Sequence, residues 1–147
     1  MKKIFFTMAL LACTAGIMTV SAQKKVALKV STVAQGAESK TVNVTKDKKG
    51  YITLFDGKNL DGWRGYGKDH VPARWTVEDG CLKFNAGQGE GGDIIFAHKF
   101  KNFILEMEWK VSKGANSGIF YLAQEVKNDK GGMEPIFISA PECQVLD

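Results

Sequence analysis

Asp79-Gly80 sits between two short runs that alternate polar and apolar residues, Arg74-Trp75-Thr76-Val77-Glu78 and Cys81-Leu82-Lys83-Phe84. A two-residue connection between such runs needs positive φ at both positions, which Asp tolerates and Gly adopts freely. The spacing therefore predicts a tight β-hairpin with Trp75 and Val77 buried. Similar punctuation recurs along the chain. The glycine-rich stretch Gly87 to Gly92 leads into Asp93-Ile94-Ile95-Phe96-Ala97. Phe103, Leu105, Met107, Trp109 and Val111 alternate with Ile104, Glu106, Glu108 and Lys110, the pattern of a long strand with one apolar face. Ser117 to Leu122 and Cys143 to Leu146 read as two further strands. No segment sustains a helical period, so the expected fold class is all-β, an antiparallel β-sandwich or jelly roll.

The chain divides into three stretches. Met1-Lys2-Lys3, the uncharged run Ile4 to Val20 and the small residues Val20-Ser21-Ala22 make the three parts of a secretory signal peptide over 1–22, with cleavage expected before Gln23. That places the protein in the periplasm, at the cell surface or outside the cell. Residues 23–50 hold seven lysines against Glu38 and Asp47 and read as a lysine-rich linker or a pair of edge strands, closed by a solvated turn at Lys46 to Gly50. The main domain is expected over 51–147. Its eleven Lys/Arg against fourteen Asp/Glu leave it mildly acidic, which argues against a nucleic-acid partner. Cys81 and Cys143 are too far apart for a zinc spacing and read as buried free thiols, with a disulfide as the alternative. The sequence ends inside what reads as a strand, so the sandwich is expected to be incomplete at its C-terminus.

Several motifs in a fixed order resemble the 3-keto-disaccharide hydrolase family. They are Leu54-Phe55-Asp56-Gly57-Lys58-Asn59-Leu60-Asp61-Gly62-Trp63, Trp75 to Gly80, Asn102-Phe103 through Lys110, Asn116 to Tyr121, and Pro141-Glu142-Cys143-Gln144-Val145-Leu146-Asp147. The resemblance covers the N-terminal part of that family's domain. It implies a concanavalin A-like jelly roll and a hydrolase acting on glycosides whose sugar carries a ketone at C3. The ketone acidifies the C2 hydrogen, so a base near C2 forms an enolate, the C1 substituent leaves, and water adds. Such a site needs a base, an electrophile for the ketone oxygen and an acid for the leaving group. A divalent metal cation held by oxygen ligands would also polarise the ketone.

Glu142 and Gln144 lie two apart on a strand and therefore share a face. Glu142 and Glu108 are the candidate catalytic carboxylates, with Gln144, Asn116, Ser117 and Trp63 as candidates for binding the sugar. Each has a plain structural alternative. Glu108 with Glu106 suits a solvated strand face, Asn116 suits a turn, and Trp63 suits the core. Asp56 and Asn59 read as turn-formers, and His70 and His98 as isolated residues. Two other readings stand beside the enzyme: a non-catalytic carbohydrate-binding, lectin-like module on the same fold, and an inactive truncated product.

Overall fold

The computed structural model describes residues 23–36 and 38–147. The signal-peptide reading of residues 1–22 lies outside them. Among the described residues eight strands run in sequence: β1 Lys24–Ser31, β2 Ser39–Lys46, β3 Trp63–Gly65, β4 Trp75–Glu78, β5 Cys81–Phe84, β6 Ile94–Phe96, β7 Asn116–Phe120 and β8 Glu142–Leu146. The remaining regular structure among the described residues is two single turns of 3₁₀ helix, Ala34–Gly36 and Ile136–Ile138. The strands pair antiparallel as β1–β2, β3–β6, β4–β5 and β7–β8, so the fold is all-β.

The Asp79-Gly80 hairpin forms as the sequence dictates. Glu78 pairs with Cys81, and Asp79 and Gly80 take φ of 51° and 71°, the left-handed pair a two-residue hairpin turn requires. Trp75 and Val77 are half-buried rather than buried. Trp75 packs on Phe84 at 5.1 Å between ring centroids, and its indole N–H donates to Gly92 O at 2.8 Å. Asn85 closes the hairpin base through Thr76 Oγ1 at 2.9 Å.

The lysine-rich segment forms the long β1–β2 hairpin and is tied to the rest of the chain. Alternation places Leu28, Val30 and Val44 on its inward face, where they are buried, Val30 almost completely. Ser31 N–H donates to Ala97 O at 2.6 Å, and His98 Nδ1 lies 2.8 Å from Lys29 O. Beyond the turn at Asp47, the backbone bonds back onto β2 through Thr53 N–H to Thr45 O at 2.8 Å and a bridge between Lys46 and Ile52.

Two further expectations fail. The segment 103–111 forms no strand, only a single bridge position at Glu108, and Phe103 and Ile104 are exposed, the latter by 76%. Side-chain alternation describes two faces but supplies no ladder, and a strand exists only where a neighbouring backbone takes its N–H and C=O groups. Cys81 and Cys143 are free, as read, but both are exposed.

Among the described residues the interior is anchored by a largely buried ion pair. Arg64 is 4% exposed and grips Glu125 with both arms, at 2.5 and 2.7 Å. Its remaining donors reach Ser31 O at 2.9 Å and the carbonyls of Gly65 and Lys68 at 3.1 Å each. Glu125 also accepts the Gly67 N–H at 2.7 Å. A charge so removed from water is tolerated because its donors are matched by acceptors in fork geometry.

Candidate functional site

The β7–β8 pair presents the most specific cluster. Its register sets Asn116 opposite Leu146, Gly118 opposite Gln144 and Phe120 opposite Glu142. These six side-chain positions share one face, while Ser117, Ile119, Cys143 and Val145 take the other. Val145 is 4% exposed and turns its face inward, which leaves Glu142 and Gln144 facing solvent. Gln144 Nε2 donates to Glu142 Oε2 at 2.8 Å. Glu142 leans across the ladder onto Gly118, where the missing side chain provides its berth: a Cβ on residue 118 would lie 2.5 Å from Glu142 Cδ and 2.6 Å from Cγ. One carboxylate oxygen is thus held by an amide and the group is braced on bare backbone. Asp147 ties the end of β8 to the turn before β7, its Oδ2 accepting the Gly114 N–H at 3.0 Å.

The other candidates divide around this pair. Asn116 shares the face of Glu142 and Gln144, and Ser117 points from the opposite face. Trp63 belongs to β3, where its indole N–H is spent on Leu54 O at 2.8 Å and its ring meets Phe96 edge-on at 5.6 Å. That packing is structural. Glu108 is exposed in the irregular segment 103–111, outside the β7–β8 ladder, and its neighbour Glu106 accepts the Tyr51 hydroxyl at 2.6 Å. Asp56 and Asn59 are turn-formers: Asp56 Oδ1 accepts the N–H of Lys58 and of Asn59 at 2.9 and 3.2 Å, and Asn59 Oδ1 that of Asp61 at 2.9 Å.

A second cluster was not legible as such in the sequence. His70 lies between two carboxylates, with Nδ1 2.8 Å from Asp69 and Nε2 2.6 Å from Glu90, and Lys68 bonds Glu90 at 2.9 Å. Together with Val33, Ala34 and Gly67 they line a depression of about 460 Å³. Asp69 first, then Glu90, raise the His70 pKa above its ordinary 6.5, because both carboxylates favour the imidazolium. The hydrogen bond from His70 lowers Asp69, and those from Lys68 and His70 lower Glu90. A ring bonded at both nitrogens by carboxylates fastens the glycine-rich loop to the body. Residues 70 and 90 are 20 positions apart, and only turn geometry brings them together.

Among the described residues no three His, Cys, Asp or Glu side chains converge so as to hold a metal ion.

Residues 50–147 match the model of the 3-keto-alpha-glucoside-1,2-lyase-like domain. The chain belongs to this family. A relative from Bacteroides thetaiotaomicron, a 3-keto-disaccharide hydrolase, is 54% identical over 169 residues, covering all of this chain and 58% of the relative. The chain thus spans a little over half the length of that relative. The family's domain begins within the turn after β2, so the β1–β2 hairpin precedes it. Both site clusters, the β7–β8 face and the His70 depression with its glycine-rich loop, draw their polar groups from the family's stretch.

Proposed function

We propose that the protein is an exported enzyme that cleaves the glycosidic bonds of 3-keto-glycosides, disaccharides among them, by elimination followed by hydration. The family's description names a lyase and the relative's name a hydrolase. One reaction sequence satisfies both. A base removes the C2 hydrogen, and the electrons pass into an enolate on the C3 oxygen. The enolate collapses to a C1–C2 double bond and expels the C1 oxygen, which takes a proton. Water then adds at C1 and a proton returns to C2, giving net hydrolysis.

The observation that carries the reading is the Glu142 carboxylate resting over Gly118 with Gln144 bonded to it. Glu142 is the base in this account. Gln144 spends one N–H on Glu142, and its second amide N–H is the donor for the ketone oxygen. Asn116, on the same face, is placed to bond sugar hydroxyls. The four antiparallel pairs are read as portions of a concanavalin A-like sandwich with this face turned to substrate. The leader over residues 1–22 supports export, with Gln23 as the mature N-terminus.

The test is product release from a 3-keto-glycoside against the unoxidised glycoside, by the protein and by Glu142→Gln. The base reading expects a loss of about a hundredfold to ten-thousandfold in the variant. It also expects slower turnover when C2 carries deuterium. Near-normal turnover by Glu142→Gln removes that residue from the site. Equal rates on the unoxidised glycoside reject elimination, and binding without turnover makes the protein a lectin-like module.

A further inference from the structure

The open end of the β1–β2 hairpin carries a charge pattern that folding alone does not require. The register sets Lys24 directly opposite Lys46, on the same face that buries Leu28, Val30 and Val44 further along. Like charges directly opposite each other on a ladder repel. Lys25, Lys48 and Lys49 add three more ammonium groups around a hollow of about 610 Å³. All five lysines are exposed. The one acid in the hollow, Asp47, is committed to the turn, its Oδ1 accepting the backbone N–H of Lys49 at 2.8 Å and of Tyr51 at 2.9 Å. The basic partners in the ion pairs of the described residues are Arg64, Lys68, His70 and Lys83, so none of the five is paired.

The cluster also stands apart from the catalytic stretch. It lies almost wholly before residue 50, where the family's domain begins, and its charge is opposite in sign to the mildly acidic remainder. Five point charges on flexible stems suit an anion whose charge is spread over several groups, rather than a single chelated ion. The hollow is open and of a volume that lets sugar rings lie across it. We propose that this end of the hairpin is a binding site for an acidic polysaccharide, bearing uronate carboxylates or sulfate esters. It holds the protein on such a glycan whether or not the β7–β8 face cleaves 3-keto-glycosides.

The test is the affinity of the full chain for polygalacturonate, for heparin, for neutral dextran and for phosphatidylglycerol vesicles, at low and at physiological salt. Binding to one of the two acidic glycans, none to dextran, and marked weakening by salt are expected, since exposed charges are screened within about 8 Å at physiological ionic strength. The variant Lys24→Gln/Lys46→Gln/Lys48→Gln should lose at least about tenfold in affinity while its melting temperature stays level or rises, because a repelling pair has been removed. Lys24→Arg/Lys46→Arg keeps the charge and should keep the binding. No binding to either glycan, undiminished binding by the glutamine variant, or tighter binding to the vesicles than to both glycans would each overturn the proposal.

Discussion

Gly118→Ala separates the catalytic role proposed for Glu142 from the stability of the strands that carry it. The new Cβ would lie 2.5 Å from Glu142 Cδ and 2.6 Å from Cγ, where ordinary contact begins at 3.4 Å. Glu142 Oε1 would come closer still, so the carboxylate must retreat by more than about 1 Å, and because it is the far end of an exposed, flexible side chain it retreats at small cost to the fold. Gly118 needs no positive φ, so its backbone accepts alanine. Removing a glycine from a strand interior stabilises by about 0.5–1 kcal/mol, which offsets the displacement. A base moved by that distance from its reacting hydrogen loses about a hundredfold in kcat, or about 2.7 kcal/mol of transition-state stabilisation. The assay pairs turnover of a 3-keto-glycoside with thermal unfolding of the same preparation. An unchanged melting temperature with a hundredfold slower enzyme is the expected result. Full activity in a folded variant would refute the argument, because the carboxylate would then be free to sit elsewhere during turnover.

Three further outcomes follow from features described above. Arg64→Met removes the guanidinium from a Glu125 carboxylate that is only 12% exposed and still bonded to the Gly67 N–H, and should lower stability by up to about 3 kcal/mol in denaturant titrations. Gly80→Val forces a β-branched residue to a φ of 71° and should destabilise by about 1–2 kcal/mol, with the loss read in the same titration. The His70 cluster makes stability depend on pH on both sides. His70, with its raised pKa, stabilises fully below its ordinary 6.5, and the contribution disappears as pH climbs through the higher folded value. Asp69 and Glu90, with lowered pKa values, stabilise fully above their ordinary 3.8 and 4.5 and lose the contribution as pH falls through the folded values. Melting temperature should therefore be highest between about pH 4.5 and 6.5, and His70→Ala should flatten the decline on the alkaline side.

Local chemistry was legible in the sequence and distant pairing was not. Asp79-Gly80 fixed its hairpin because both turn residues carry their own conformational preference. The motif at 141–147 revealed the shared face of Glu142 and Gln144 because strand geometry guarantees it. The same alternation at 103–111 misled, since nothing in a segment's own side chains reports whether a partner backbone lies alongside. It also left Glu108 apart from the β7–β8 face. Ser117, next to Asn116 in sequence, takes the other face of β7, a direct effect of the two-residue period. The His70–Glu90 contact and the berth of Glu142 on Gly118 depend on register and loop path, which short-range patterns do not carry.

The Arg64 clamp has a kinetic consequence. It joins residues 31, 64 and 125, contacts separated by 33 and 61 positions along the chain. A guanidinium enters a dry interior at acceptable cost only when its acceptors arrive with it, and loops of this length close slowly. The end of β1, the strand holding Arg64 and the segment around Glu125 should therefore assemble in one step rather than in succession. Amide hydrogens at Ser31 and Gly67 should exchange together, at a common rate set by that opening. The His70 depression, whose wall includes Gly67, takes shape only when that step is complete.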